Sequence, residues 1–101
     1  IDIGGKTGDS VNAAASGKVV YAGSGLRGYG KLIIIKHSEI YLSAYAHNHR
    51  LKVSEGDVVN VGQRIADIGS TGVGTKATPR LHFQIRRDGK PIDPLPLLPE
   101  R

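Results

Sequence analysis

The sequence predicts an all-β domain, a compact antiparallel sandwich or barrel, and three observations predict it. Residues 40–47 and 79–86 alternate side by side in the period of two that marks a strand with one buried face. Clusters of Gly, Ser, Asn and Asp punctuate the chain at short intervals, as turns between short strands require. No stretch carries the 3.6-residue apolar period of an amphipathic helix.

Taken in order, Ile1, Asp2 and Ile3 form a short apolar–acid–apolar segment that ends in Gly4 and Gly5. Residues 7–10 make a turn and residues 11–14 a short strand. Ser16 and Gly17 turn the chain again, and residues 18–22, rich in β-branched and aromatic side chains, form the next strand. Gly23, Gly25 and Gly28 fit the spacing of a dinucleotide-binding loop, but that loop must open a helix whose N-terminus faces the pyrophosphate. Here residues 31–36 read as a strand, so the glycines belong to a hairpin connection. Residues 32–35 are apolar on both faces, as in a central strand covered on both sides. His37, Ser38 and Glu39 turn the chain into the strand at 40–47. The short connections on either side make these strands antiparallel neighbours.

Residues 51–53 are a short strand, 54–57 a turn, Val58, Val59 and Val61 more sheet, and 63–68 another strand. This region echoes the start of the chain. Gly8, Asp9, Val11 and Asn12 recur as Gly56, Asp57, Val59 and Asn60, and residues 18–23 recur as 64–69. Two copies of turn–strand–turn–strand predict pseudo-symmetric strand pairs. Residues 69–79 form a polar loop that walls one side of a groove. After the strand at 80–86, residues 87–90 turn, and the Pro- and Leu-rich segment 91–101 is a C-terminal strap packed on the domain.

A chain of 101 residues makes one domain, residues 1–101. It has no cysteine, hence neither a disulfide staple nor a thiolate metal site. Its net charge of +5 points to an anionic wall polymer or an acidic protein as partner. Nucleic acid is not expected, because the cations are scattered and only four Tyr and one Phe could stack on bases. The longest apolar run, residues 32–35, is far too short to cross a bilayer. No signal peptide is recognisable, and residue 1 falls in an apparent strand, so a longer parent chain is expected.

The candidate site comes from the two alternating strands. In residues 80–86, Leu81, Phe83 and Ile85 share one face, while Arg80, His82, Gln84 and Arg86 share the other. In residues 40–47, Leu42, Ala44 and Ala46 are assigned to the core face, and Tyr41, Ser43, Tyr45 and His47 to the opposite one. With both strands in one sheet, Tyr45, His47, Arg80, His82 and Gln84 floor a shared groove. His47 and His49 form a His-x-His, read as two polar side chains at the surface. His37 and Glu39 are placed in a solvated turn and given no role.

Together these residues resemble the LytM (lysostaphin-like) domain of peptidoglycan metallopeptidases. The resemblance is carried by Ile1-Asp2-Ile3, Tyr45-Ala46-His47, the glycine-punctuated run from Gly56 to Gly72 and Arg80-Leu81-His82-Phe83, and it covers nearly the whole chain. It implies a zinc ligand at Asp2, another at His82 and a catalytic histidine at His47, with the remaining ligand histidine four positions before Asp2. At the last catalytic position stands Arg80. A hydrolytic zinc needs three protein ligands and an open position for water. A guanidinium stays protonated and cannot serve as a base. A +1 charge at about 6 Å from a dication also repels it by roughly 5 kcal/mol at an effective dielectric of about 20. Asp2, His47, Arg80 and His82 are therefore read as a degenerate site with neither catalysis nor a bound metal, and no cofactor is expected. Within the family, the chain is similar to NlpD-type proteins. That similarity implies a periplasmic, non-enzymatic activator of an N-acetylmuramoyl-L-alanine amidase, anchored to the outer membrane only through segments upstream. An active zinc endopeptidase and a passive peptidoglycan-binding module are the alternatives.

Overall fold

The computed structural model describes residues 2–25, 29–69, 80–87 and 90–92. They form nine strands: β1 (Asp2–Gly4), β2 (Ser10–Asn12), β3 (Gly17–Gly23), β4 (Lys31–Lys36), β5 (Tyr41–Leu51), β6 (Val58–Val59), β7 (Arg64–Ile68), β8 (Arg80–Arg87) and β9 (Lys90–Ile92). All described strands belong to one antiparallel sheet. Its main path runs β1-β8-β5-β4-β3-β6, with β7 joined to β5 and β2, and β9 joined to β8. No helix occurs among the described residues. The sheet curls because β5 is 11 residues long and serves two sets of neighbours. Its first part pairs with β4 and β8, and Asn48, Arg50 and Leu51 pair with β7.

The core fills the inside of the curl. Val11, Val19, Ile33, Ile35, Tyr45, Val59, Ile65, Leu81, Phe83 and Ile85 are buried there. Leu32, Ala44 and Ala46 form a second, smaller cluster on the outer face, under Tyr21, Tyr29 and Ile34. The expectation that β4 is covered on both sides therefore holds: Ile33 and Ile35 enter the core, and Leu32 enters the outer cluster.

The internal echo is borne out at the level of atoms. In the first copy, Asp9 Oδ2 accepts from Lys6 N at 2.9 Å, Asp9 N donates to Lys6 O at 3.0 Å, and Gly8 sits at φ 95°. In the second, Asp57 Oδ2 accepts from Ser54 N at 2.9 Å, Asp57 N donates to Ser54 O at 3.1 Å, and Gly56 sits at φ 92°. Both turns need a positive φ, which glycine adopts without the Cβ clash other residues suffer. The copies exchange partners: β2 of the first pairs with β7 of the second, and β6 of the second with β3 of the first.

Several boundaries differ from expectation. The strand expected at 40–47 begins at Tyr41, and Ile40 lies exposed in the preceding bend. The strand expected at 51–53 is not separate, because β5 continues to Leu51 by pairing with β7. Sheet pairing around Val58 stops at Val59, leaving Val61 exposed. The loop expected at 69–79 lies outside the described residues except for Gly69. The expected strap contributes Pro91 and Ile92 to β9, and its remainder lies outside them too.

Candidate groove site on strands β5 and β8

Register decides which side chains share the groove. Across β5 and β8, Ala46 is opposite His82, Ala44 opposite Gln84, and Leu42 opposite Arg86, while Tyr45 is opposite Phe83 and Ser43 opposite Ile85. Directly opposed residues of an antiparallel pair lie on one face. The groove face of β5 therefore carries Leu42, Ala44 and Ala46, and the core face carries Ser43 and Tyr45. This corrects the sequence reading, which put Tyr45 on the groove floor. Tyr45 is 1% exposed, and its ring lies 5.2 Å from that of Phe83. A sheet cannot turn that ring outward without a one-residue slip of β5 against β8.

His47 nonetheless reaches the groove, through a local break in the alternation. It sits at φ 65°, a left-handed conformation that costs a non-glycine residue roughly 1–2 kcal/mol. Against β4 the register jumps here, with Ile33 opposite Tyr45 but Lys31 opposite Asn48, so β5 holds one extra residue. That is a bulge, a device that re-aims a side chain. The His47 ring comes to 6.1 Å from the His82 ring, edge to face. Asn48 holds the bulge open. Its buried amide nitrogen donates to Tyr45 O at 2.8 Å and to Lys31 O at 2.9 Å, and His47 N donates to Tyr29 O at 2.8 Å. The same break separates the two members of the His-x-His at 47–49: His47 is buried and His49 exposed.

On β8, three side chains form a directed ladder. Arg86 Nε and Nη2 donate to Gln84 Oε1 at 3.4 and 3.3 Å, and Gln84 Nε2 lies 2.9 Å from His82 Nε2. A guanidinium has only donors, so the Gln84 atom facing it is the oxygen, and the Gln84 amide must donate to His82. With a neutral imidazole, His82 Nε2 is then the acceptor and the proton sits on Nδ1. For Asp2 and Arg80 the structure describes the backbone. The register of β1 and β8 sets Asp2 directly opposite His82 and Gly4 opposite Arg80. Asp2, His47, Arg80 and His82 thus lie at neighbouring positions of β1, β8 and β5. Beyond Gln84 the floor continues into a small cavity of about 170 Å³ between Tyr29, Ile34 and Leu42 on one side and Gln84 and Arg86 on the other.

The sequence reading missed a second polar network, on the core face. His37 Nδ1 lies 2.8 Å from Ser16 O, and His37 Nε2 lies 2.6 Å from Ser43 Oγ. Ser43 Oγ lies 2.7 Å from Tyr45 Oη, which accepts from Ala14 N at 3.0 Å. The Ser16 carbonyl can only accept, so Nδ1 carries the proton. With a neutral imidazole the order is then determined: Tyr45 donates to Ser43, and Ser43 to His37. Burial pushes the Tyr45 hydroxyl up from its ordinary value, the Ala14 and Ser43 hydrogen bonds opposing it. His37 is thus a bonded link between turns rather than a solvated side chain. Glu39, by contrast, makes an exposed 3.7 Å contact to Lys36.

Residues 1–94 match the family model described as Peptidase family M23. The chain belongs to that family. Among M23 structures, the catalytic domain of the antimicrobial peptidase lysostaphin from Staphylococcus simulans superposes with a TM-score of 0.86 at 35% identity, over 95% of this chain and 74% of that one. Among curated M23 relatives, the lipoprotein NlpD/LppB homolog of Pseudomonas aeruginosa is 62% identical over 101 residues, all of this chain and 33% of that protein. The murein hydrolase activator NlpD of Escherichia coli K12 is 57% identical over 101 residues, all of this chain and 26% of its own length. The chain thus spans a quarter to a third of these relatives.

M23 membership raises the question of zinc, and Arg80 cannot carry the proton transfer that the family likeness assigns to its position. The Nε2 lone pair of His82 already accepts from Gln84. At position 80 an arginine stands where the family likeness calls for a histidine.

Proposed function

We propose that this domain is a non-catalytic activator of a periplasmic N-acetylmuramoyl-L-alanine amidase, acting in peptidoglycan hydrolysis and daughter-cell separation. The observation that carries the reading is Arg80, on β8 two residues before His82 and at the head of the polar face that continues through Gln84 and Arg86. A fixed positive charge there opposes both proton transfer and a dication, yet suits a carboxylate on a protein partner. Arginine is also common among the residues that dominate interface energies. His47, held in a costly backbone conformation beside His82, is the other anchor of the groove. The relatives named murein hydrolase activator and lipoprotein support the reading and an envelope location. Docking of the amidase in the groove shifts it toward its active conformation.

The test is turnover of purified sacculi by the amidase with and without this domain. The domain alone should release nothing, and the mixture should release muropeptides faster than amidase alone. Arg80→Ala should weaken stimulation at least tenfold, the effect of losing about 1.4 kcal/mol of binding. Chelator-sensitive cleavage of cross-linked wall peptides by the domain alone would instead establish the zinc endopeptidase that the lysostaphin likeness favours. Sacculus binding without any effect on the amidase would leave a passive wall-binding module.

A further inference from the structure

The groove face of β5 has a hollow in it, and the cross-strand register shows why. One row of directly opposed residues across β4, β5 and β8 is Ile34, Ala44 and Gln84, and the next is Lys36, Leu42 and Arg86. Neighbouring strands lie about 4.8 Å apart, so an alanine between two longer side chains leaves a dip. That dip is the cavity of about 170 Å³, which Leu32 and Tyr29 also line. Its volume is close to the roughly 150 Å³ that accommodates a benzene ring, room for one branched aliphatic or aromatic side chain. The rim is cationic. Both ends of the Gln84 amide are engaged along β8, by His82 and by Arg86. The Arg86 bonds to Gln84 are long, at 3.3 and 3.4 Å, and involve two of the five N–H donors of a guanidinium. Lys36, the other cation of its row, meets Glu39 in an exposed 3.7 Å contact, a kind of pair that contributes little.

We propose that this hollow is the anchor point of the groove. It takes one branched aliphatic or aromatic side chain from a segment of the amidase, and a carboxylate beside that side chain pairs with Arg86. The assignment rests on the activator reading and narrows it from a groove to a single side chain and its acidic neighbour. The apolar side chain removes the carbon surface of Ile34, Leu42 and Ala44 from water. The guanidinium offers the forked geometry that a carboxylate matches. A neutral polar side chain would lose its water in the hollow and find the Gln84 amide already taken. Interface energy commonly concentrates in one such desolvated pocket, with near-neutral contacts around it.

Three small probes separate the two halves of this recognition. Phenylpropionate carries a ring and a carboxylate, phenylpropanamide the ring alone, and acetate the carboxylate alone. Each is titrated into the methyl-labelled domain and followed by NMR. Phenylpropionate should move the Leu32, Ile34 and Leu42 methyl resonances and saturate with a Kd of roughly 1–10 mM, the range open to a ligand of its size. The amide should bind several-fold more weakly, and acetate should leave these methyls unmoved. Arg86→Gln should abolish the preference for acid over amide and leave the Kd of the amide unchanged. Ala44→Leu fills the hollow. It should keep the parent's Tm, abolish the probe-induced shifts and lower the affinity for the amidase at least tenfold. Should that variant fail to fold, the probe titrations of the parent and of Arg86→Gln decide the matter. Absence of saturable methyl shifts in the parent would overturn the proposal, however the amidase behaves. An Ala44→Leu domain that stimulates the amidase as well as the parent would also overturn it, and the activator reading would still stand. Failure of the parent itself to stimulate would remove that reading, and the amidase as occupant with it. The same methyl shifts on raising the protein concentration without any probe would make the occupant a second copy, again overturning the proposal.

Discussion

Tyr45→Phe separates the two faces of β5. The substitution keeps the ring packed on Phe83 and removes one oxygen. That oxygen accepts from Ala14 N at 3.0 Å and lies 2.7 Å from Ser43 Oγ, in a residue 1% exposed. Its loss leaves the part-buried Ala14 N–H without that acceptor and the buried Ser43 without that donor. An orphaned buried polar group costs roughly 1–3 kcal/mol. In a domain of about 100 residues each kcal/mol lowers the Tm by roughly 4–8 °C, so a fall of about 5–15 °C is expected by calorimetry. The groove lies on the other face, so amidase stimulation by the folded variant, assayed well below its Tm, should equal that of the parent. Two results would refute the reasoning. An unchanged Tm would mean that the buried network is not intact in solution. Lost stimulation at full stability would mean that Tyr45 faces the partner after all.

Asn48→Ala should cost about 2–3 kcal/mol in urea unfolding, because the amide that joins the Tyr45 and Lys31 carbonyls across the bulge is gone. The His47 and His82 ring resonances should also shift as the bulge relaxes, and a loss under 0.5 kcal/mol would show that it stands without its clamp. Asp67 gives a pH dependence. The Arg64 guanidinium, at 2.5 and 3.0 Å, holds its carboxyl below the usual carboxylate range, assisted by Lys52 and Arg50. The folded-state value is below the unfolded one, so this stabilisation is complete above the ordinary aspartate value of about 3.9 and disappears as pH falls through the lower, folded value. Parent and Asp67→Asn urea midpoints should therefore differ at pH 6 and converge as the solution is acidified. Parallel curves down to pH 2 would contradict that assignment.

The face assignments show what local pattern can and cannot decide. On β8 the alternation sets Leu81, Phe83 and Ile85 against His82, Gln84 and Arg86, a contrast so strong that the inner face is legible from residue types alone. On β5 the contrast is between Leu42, Ala44, Ala46 and Tyr41, Ser43, Tyr45. Alanine is small enough to floor a groove, and tyrosine can be buried once its hydroxyl is bonded. Hydropathy ranked the alanine face as core, but the Tyr45 hydroxyl is satisfied by Ala14, 31 residues away, and no local window shows that partner. One signal was present: an asparagine inside an alternating strand is disfavoured, and Asn48 marks the place where the alternation breaks.

From sequence alone come the all-β class, the repeated turns at Asp9 and Asp57, the hairpins around β4, and the arginine at position 80 with its consequences for proton transfer. These depend on residue identity and on neighbours within a few positions, where backbone sterics and side-chain chemistry are local. The face of β5, the left-handed turn of His47 toward His82, the tautomer of His82 and the hydrogen bonding of His37 were decided by tertiary structure. Each depends on which strand lies alongside and in what register, and pairing between distant segments is chosen by the packing of the whole core.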